Sequence, residues 1–227
     1  MDLNKQKTIV IFSHGMGVRK DNRGLFTELA EAFGDRGIKS IPFNYDKFDP
    51  KTKEIFVGSF SDNSQTLQLI INKTFKEYPN SKIVIVAHSQ GGITAALCDL
   101  KKVSQLIAVS PFFHTKMSDV LRRYSKNPQN QINLTGTTRR KRSDGTTTII
   151  KAKYWKERFE IDPINKFNNA AVQTLLTLIC PLQDEIMDYT DLKEIKRARI
   201  INIDGDHDFS KQYRKMLIEI IIRELVA

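Results

Sequence analysis

Three stretches of this chain carry the side-chain types that split an acyl bond. They are Ser89 in His88-Ser89-Gln90-Gly91-Gly92, Asp184 in Cys180-Pro181-Leu182-Gln183-Asp184-Glu185-Ile186, and His207 in Asp204-Gly205-Asp206-His207-Asp208-Phe209. A serine hydroxyl is a weak nucleophile until an imidazole takes its proton. The imidazole in turn needs a carboxylate to hold its tautomer and balance its charge. A fourth stretch, Ser13-His14-Gly15-Met16-Gly17, is a glycine-bearing loop able to aim a backbone N–H at a developing oxyanion.

Ser89 is placed by its flanks. Ile83-Val84-Ile85-Val86 reads as a strand buried on both faces, and 93–98 reads as a helix, so the serine falls on the single tight turn between them. Such an elbow holds its serine in a strained backbone conformation that lifts the hydroxyl above the sheet. Strand and helix nearly touch there, so the residues two before and two after must be small, and Ala87 and Gly91 are. Gln90 opens the helix, where backbone N–H groups lack intrahelical partners and are available to an oxyanion.

The elements that must carry these stretches follow a regular rhythm. Apolar strands are expected at 8–12, 38–45, 83–86 and 105–110, then in a run ending near Pro181, and at 198–203. Between them come helical patterns at 25–33, at 62–78 (with Leu67, Ile70, Ile71 and Phe75 on one side), around 191–196 and from about Ser210 onward. Strands alternating with helices imply a parallel sheet covered on both faces. Ligands of such sheets bind at the carboxyl ends of the strands, where all four stretches fall. The 23 residues from Asp184 to His207 leave room for one crossover connection, which takes about a dozen residues or more.

The rhythm breaks between Phe113 and Asn168. That segment holds 13 of the 36 Lys and Arg residues but 5 of the 26 Asp and Glu, so it accounts for most of the net charge of +10. Strand-like runs at 131–138 and 146–152 flank Ser143-Asp144-Gly145, which reads as a hairpin turn, and 154–159 reads as a short helix. The expected organisation is a core of 1–112 and 169–227 with a basic cap insertion, 113–168, lying over the sheet edge. Arg139-Arg140-Lys141-Arg142 is expected to crowd the hairpin tip. With Arg122, Arg123, Lys151 and Lys153 it would form a positive rim that draws in carboxylate- or phosphate-bearing substrates, or docks on anionic lipid. The alternative is a merely solvated tip.

The order Ser, Asp, His along the chain, with the elbow and the Asp206-His207-Asp208-Phe209 ending, resembles the α/β-hydrolase superfamily over nearly the whole chain outside the insertion. Within it, the chain looks most like small bacterial cinnamoyl- and feruloyl-type esterases and related serine peptidase-like or lysophospholipase-like hydrolases. The resemblance implies an α/β-hydrolase fold, with a mostly parallel six-stranded sheet flanked by helices and a cap containing a β-hairpin. It also implies Ser89 as nucleophile, His207 as base, Asp184 as orienting acid, and the N–H groups of Met16 and Gln90 as the oxyanion hole. Two departures stand out. Only seven residues precede the first strand, where the family commonly has an antiparallel leading hairpin, and Pro181 stands where the acid-bearing turn usually has glycine. Glu185 and Asp188 remain alternatives for the acid.

The expected activity is carboxylic ester hydrolysis by a serine esterase or lipase-like enzyme. Thioester or amide hydrolysis on the same three residues is the alternative, as is a non-catalytic protein that binds through the basic insertion. The expected substrate is a small ester, anionic if the basic segment reaches it, with no nucleic-acid partner. No Walker loop or dinucleotide fingerprint occurs, so no cofactor is expected. Asp204, Asp206 and Asp208 lack a second ligand cluster, so no metal is expected either. His14 and His88 read as shapers of local hydrogen bonds, and His114 as a loop histidine that could enter from the insertion. A polar start and the absence of a long apolar run lead to the expectation of a cytoplasmic protein. Cys98 and Cys180 lie in apolar runs and call for no disulfide.

Overall fold

A computed structural model describes residues 7–113 and 116–226. In chain order its elements are β1 (Thr8–Ser13), α1 (Leu25–Gly34), β2 (Lys39–Pro42), β3 (Lys47–Asp49), β4 (Glu54–Val57), α2 (Phe60–Glu77), β5 (Lys82–His88) and α3 (Gln90–Ala96). Then come β6 (Gln105–Val109), α4 (Met117–Ser125), β7 (Thr137–Lys141), β8 (Thr147–Lys151), α5 (Ala152–Glu160), α6 (Pro163–Gln173), β9 (Leu175–Pro181), a 3-10 turn at Leu192–Glu194, β10 (Ala198–Ile203) and α7 (Tyr213–Val226). His114 lies outside the described residues.

The main sheet runs β10-β9-β6-β5-β1-β2, with every neighbouring pair parallel. Its central strands are apolar without interruption because both their faces are covered. Alternate residues divide between two cores. Ile11, Ile83, Ile85, Leu106 and Leu178 face the side packed by α2, α3 and α6. Val10, Phe12, Val84, Val86, Ile107 and Ile179 face the side packed by α1 and α7, where Phe12 stacks on Phe26 at 4.6 Å. The layout is the parallel sheet covered on both faces that the strand–helix rhythm predicts, and it has the form of the α/β-hydrolase fold that the resemblance implies.

A second sheet, ordered β3-β4-β8-β7, stands apart from the first. Hairpin β7–β8 closes through a turn in which Arg142 donates to Thr146 and Gly145 donates to Arg142, around the Ser143-Asp144-Gly145 turn sequence. Its other half is β3–β4, residues 47–57, which has no helical or long apolar signal in the sequence. β4 joins β8 in parallel, Val57 opposite Ile150. Tyr154 from α5 reaches Gln90 and Met16 at the carboxyl ends of β5 and β1. Glu157 of α5 accepts the Ser61 N–H and hydroxyl at the start of α2, pinning the cap to the core. Ile150, Tyr154 and Trp155 are buried within the same apolar cluster as the core strands.

Among the described residues no helix is long and apolar enough to cross a membrane.

α3 crosses β1 at very close range. A Cβ at Gly91 would lie 2.0 Å from the Ser13 carbonyl oxygen and 2.8 Å from that of His14, both backbone atoms that cannot rotate away. Gly91→Ala is therefore expected to force helix and strand apart and to lower unfolding free energy by at least about 2 kcal/mol, read from urea midpoints. A Gly91→Ala protein as stable as the parent would mean this contact is not the constraint it looks to be.

Candidate active site

Ser89 sits at φ 53°, ψ −121°, a backbone conformation that few L-residues adopt. Three hydrogen bonds hold it there: its N–H donates to Val109 O at 2.9 Å, and its carbonyl accepts from Gly92 at 3.0 Å and Phe112 at 3.1 Å. Strained residues persist where the surroundings over-determine them, as these bonds do.

His207 Nε2 lies 3.0 Å from Ser89 Oγ, and its Nδ1 lies 2.9 Å from Asp184 Oδ2. Among the three carboxylates left open by the sequence, Asp184 is the one the fold brings to the imidazole. Glu185 instead accepts the His207 backbone N–H, and Asp188 bonds Thr190. Burial pushes the Asp184 carboxyl upward, but hydrogen bonds from His207, Met187 and Ile186 and the charge of His207 outweigh it and hold the group below the usual carboxylate range. Tyr189 adds a fourth donor to Asp184 at 2.9 Å. An ionised Asp184 accepts at Nδ1–H, which leaves the Nε2 lone pair facing the serine hydroxyl.

The backbone of His207 is fixed independently. Its carbonyl accepts from Ser110 Oγ at 2.7 Å and from His88 Nε2 at 2.9 Å, both at the ends of central strands. The acid turn is tied to the same loop, since Gln183 N donates to Gly205 O and Gly205 N to Gln183 Oε1. His14 donates from Nδ1 to Gly15 O and accepts Tyr45 N–H at Nε2, so its tautomer is fixed as well. Ser110, Tyr189 and Tyr154 escaped the sequence reading, because lone hydroxyls at strand ends and in helices carry no motif.

The loop after β1 is arranged around Met16. Gly15 N donates to Asn22 Oδ1 and Gly17 N to Asp46 Oδ2, whereas the Met16 N–H between them has no acceptor among the described residues. Gln90 N opens α3 with no carbonyl one turn back to bond. Tyr154 OH lies 3.0 Å from Gln90 Oε1 and 2.8 Å from Met16 Sδ, linking cap and loop. A cavity of about 110 Å³ opens over Ser89 and His207. It has Phe112, Ile186 and Met187 among its apolar lining and Arg23, Arg123, Arg140, Arg142 and Arg158 among its polar lining.

The sequence matches the family model Hydrolase_4, serine aminopeptidase S33, over residues 4–193. No curated protein matches it in sequence. Among solved structures, Est1E from Butyrivibrio proteoclasticus superposes with a TM-score of 0.65 at 14% identity, covering 100% of this chain and 91% of that one. The Paleococcus ferrophilus monoacylglycerol lipase gives 0.67 at 16%, covering 97% and 96%. The thioesterase domain from the curacin biosynthetic pathway gives 0.58 at 16%, covering 96% and 91%. At these identities the likeness speaks for the fold.

Burial sets a pH limit on the site's scaffold. Desolvation lowers His14 from 6.5 to about 4, and desolvation together with the charge of the neighbouring His207 brings His88 to about 4 as well. Both stay neutral when folded but take a proton below 6.5 when unfolded, so their contribution is complete above that pH and drains as pH falls toward 4. Asp46, raised by burial from 3.8 to about 7 against the hydrogen bonds of Gly58 and Gly17, acts oppositely and costs stability as pH climbs through that window. His14→Gln, which can keep both hydrogen bonds, should lose less unfolding free energy than the parent between pH 7 and pH 5. The difference should be on the order of 2 kcal/mol in urea titrations. Equal losses would show that His14 is not held neutral.

Proposed function

The chain belongs to the serine aminopeptidase S33 family of α/β-hydrolases, and from that premise we propose that it hydrolyses carboxylic esters through an acyl-enzyme on Ser89. The observation that carries the reading is the continuous relay from Ser89 Oγ through both nitrogens of His207 to Asp184, at 3.0 and 2.9 Å, on a serine held at positive φ.

Ser89 Oγ attacks the ester carbonyl while His207 Nε2 takes its proton, and Asp184 balances the resulting imidazolium. The carbonyl oxygen becomes an oxyanion, held by the N–H groups of Met16 and Gln90. The proton on His207 passes to the departing alcohol, leaving the acyl group on Ser89. Water, deprotonated by His207, then attacks the acyl carbon, and the carboxylic acid leaves as Ser89 regains its proton. Preorganised donors at the developing charge supply a large part of such rate enhancement, because they need not reorient during reaction.

An ester is favoured over the amide at a peptide's amino end by the charges around Ser89. An aminopeptidase must hold a substrate ammonium, which calls for carboxylates in the cavity. Among the described residues that line it, the one acid is Asp208, which is bonded to Arg23. Five arginines in the lining would repel that ammonium.

Ser89→Ala should retain the parent's circular dichroism and melting behaviour while losing at least about 10⁴-fold in kcat on a short-chain ester, with fluorophosphonate labelling abolished. Asp184→Asn should lose a comparable factor with labelling slowed rather than abolished, since the nucleophile remains. Turnover at the parent rate by a clean Ser89→Ala protein would sink the assignment.

A further inference from the structure

The basic residues of the cap do not share one tip. β7 runs through 137–141, and its alternation sends consecutive side chains to opposite faces. Arg139 pairs with Glu54 and Lys141 reaches Thr147, whereas Arg140, between them, lines the cavity over Ser89. Arg142 beyond the strand, Arg123 from α4 and Arg158 from α5 line it too. The rest of the expected rim is spent elsewhere: Arg122 on Asp119, Lys153 on Asp62, Lys151 on Thr137.

What holds the cavity arginines in place is aromatic. Arg140 and Arg123 lie 4.7 and 5.8 Å from the centroid of the Tyr124 ring, and Arg158 lies 4.6 Å from that of Phe112 while donating to Tyr154 OH. At Arg140 and Arg123 the ring face supports the guanidinium without occupying the N–H edge of its fork, and that edge matches carboxylate or phosphate oxygens. Arg142 is more telling. Its side chain is 8% exposed, its Nη1 is buried without a hydrogen-bond partner, and its nearest acid, Asp144, is 3.8 Å away. Among the described residues neither Arg123 nor Arg140 has an ion pair. Burial and the neighbouring arginines both press on the charged form, which holds Arg123 and Arg142 below the usual guanidinium range.

We infer that the substrate of Ser89 carries an anionic oxygen group, a carboxylate or a phosphate, which the cap arginines Arg123, Arg140 and Arg142 hold while the scissile ester lies against Ser89. The inference rests on the esterase reading above and adds the substrate's charge. The cavity limits the size: about 110 Å³ is smaller than the roughly 150 Å³ void that accepts benzene, so the enclosed part is short. Cap and serine then read opposite ends of one small molecule.

Monomethyl succinate against methyl butyrate places the charge on the acyl side, and 1-acetylglycerol 3-phosphate against 1-acetylglycerol places it on the alcohol side. At least one anionic member should exceed its neutral partner at least tenfold in kcat/KM, and the pair that does so tells which side meets the arginines. That advantage should shrink as ionic strength rises, a readout that needs no variant. Arg123→Gln with Arg140→Gln should cut the anionic-to-neutral ratio at least fivefold, while Lys141→Gln, on the other face of β7, should leave the ratio as it is. Calorimetry of succinate and inorganic phosphate on the Ser89→Ala protein reads the anion site without catalysis. At least one should bind, and more weakly when the two arginines are replaced. Equal rates within both pairs, or no binding of either anion, overturns the inference while a labelled Ser89 and methyl butyrate turnover keep the esterase reading. Anion binding that depends on the arginines in a protein whose Ser89 resists labelling would do the reverse.

Discussion

The approach of α3 to β1 is the constraint on which the rest of the molecule depends. With glycine at 91, the helix can begin one residue after Ser89 and lie against the Ser13 carbonyl, while Ser13 Oγ donates back to Gly91 O at 2.8 Å. That contact sets how sharply the chain must turn, and the turn sets the positive φ of Ser89. The same contact sets the start of α3 beside the loop after β1, so that Met16, Ser89 and Gln90 line one cavity. Hydrogen bonds from strands on either side then hold His207 by its backbone, and its ring is left to align on Asp184 and Ser89 alone.

Polar groups around the centre are fixed by hydrogen bonds from several elements at once. His14 and His88 are buried and neutral, serving as fixed hydrogen-bonding parts rather than as bases. The Asp184 carboxylate is surrounded by donors, which keeps it ionised despite burial. Across the cavity the logic inverts. Arg123, Arg140 and Arg142 meet there, two of them on the Tyr124 ring and with few acids to balance them, an electrostatic demand left for something else to meet.

How much of this was legible in the sequence follows from how local each signal is. Val10, Ile11 and Ile83 to Val86 announced central strands, because a strand covered on both faces can only be apolar. Ser89, Asp184 and His207 could be singled out because each lies just past a strand end, where a parallel sheet gathers its polar residues, and the fold brings the three within hydrogen-bond reach. β3 and β4 could not, since their seven residues have no periodicity of their own and become a sheet only beside β8, far along the chain. α6 did carry a signal, Asp162-Pro163 at its start, where the Asp162 side chain accepts Asn165 N–H at 3.1 Å. The fate of the four consecutive basic residues was hidden in one number, the strand register, which sends Arg140 inward and its neighbours outward.

The two-segment origin of the cap has a consequence for how such a protein can diverge. β4 belongs to the stretch between the second and third strands of the main sheet, β8 to the stretch after the fourth, and neither sheet half is complete alone. The cap is therefore not a cassette that could be traded between relatives by exchanging 113–168. A graft that removed β7 and β8 would bare one edge of β4, a row of unsatisfied N–H and C=O groups beside the part-exposed Phe48 and Phe56. An edge of that kind invites pairing with another chain. A lineage that remodels this roof has to alter two distant stretches together, which makes its shape slow to drift even where its surface charges change freely.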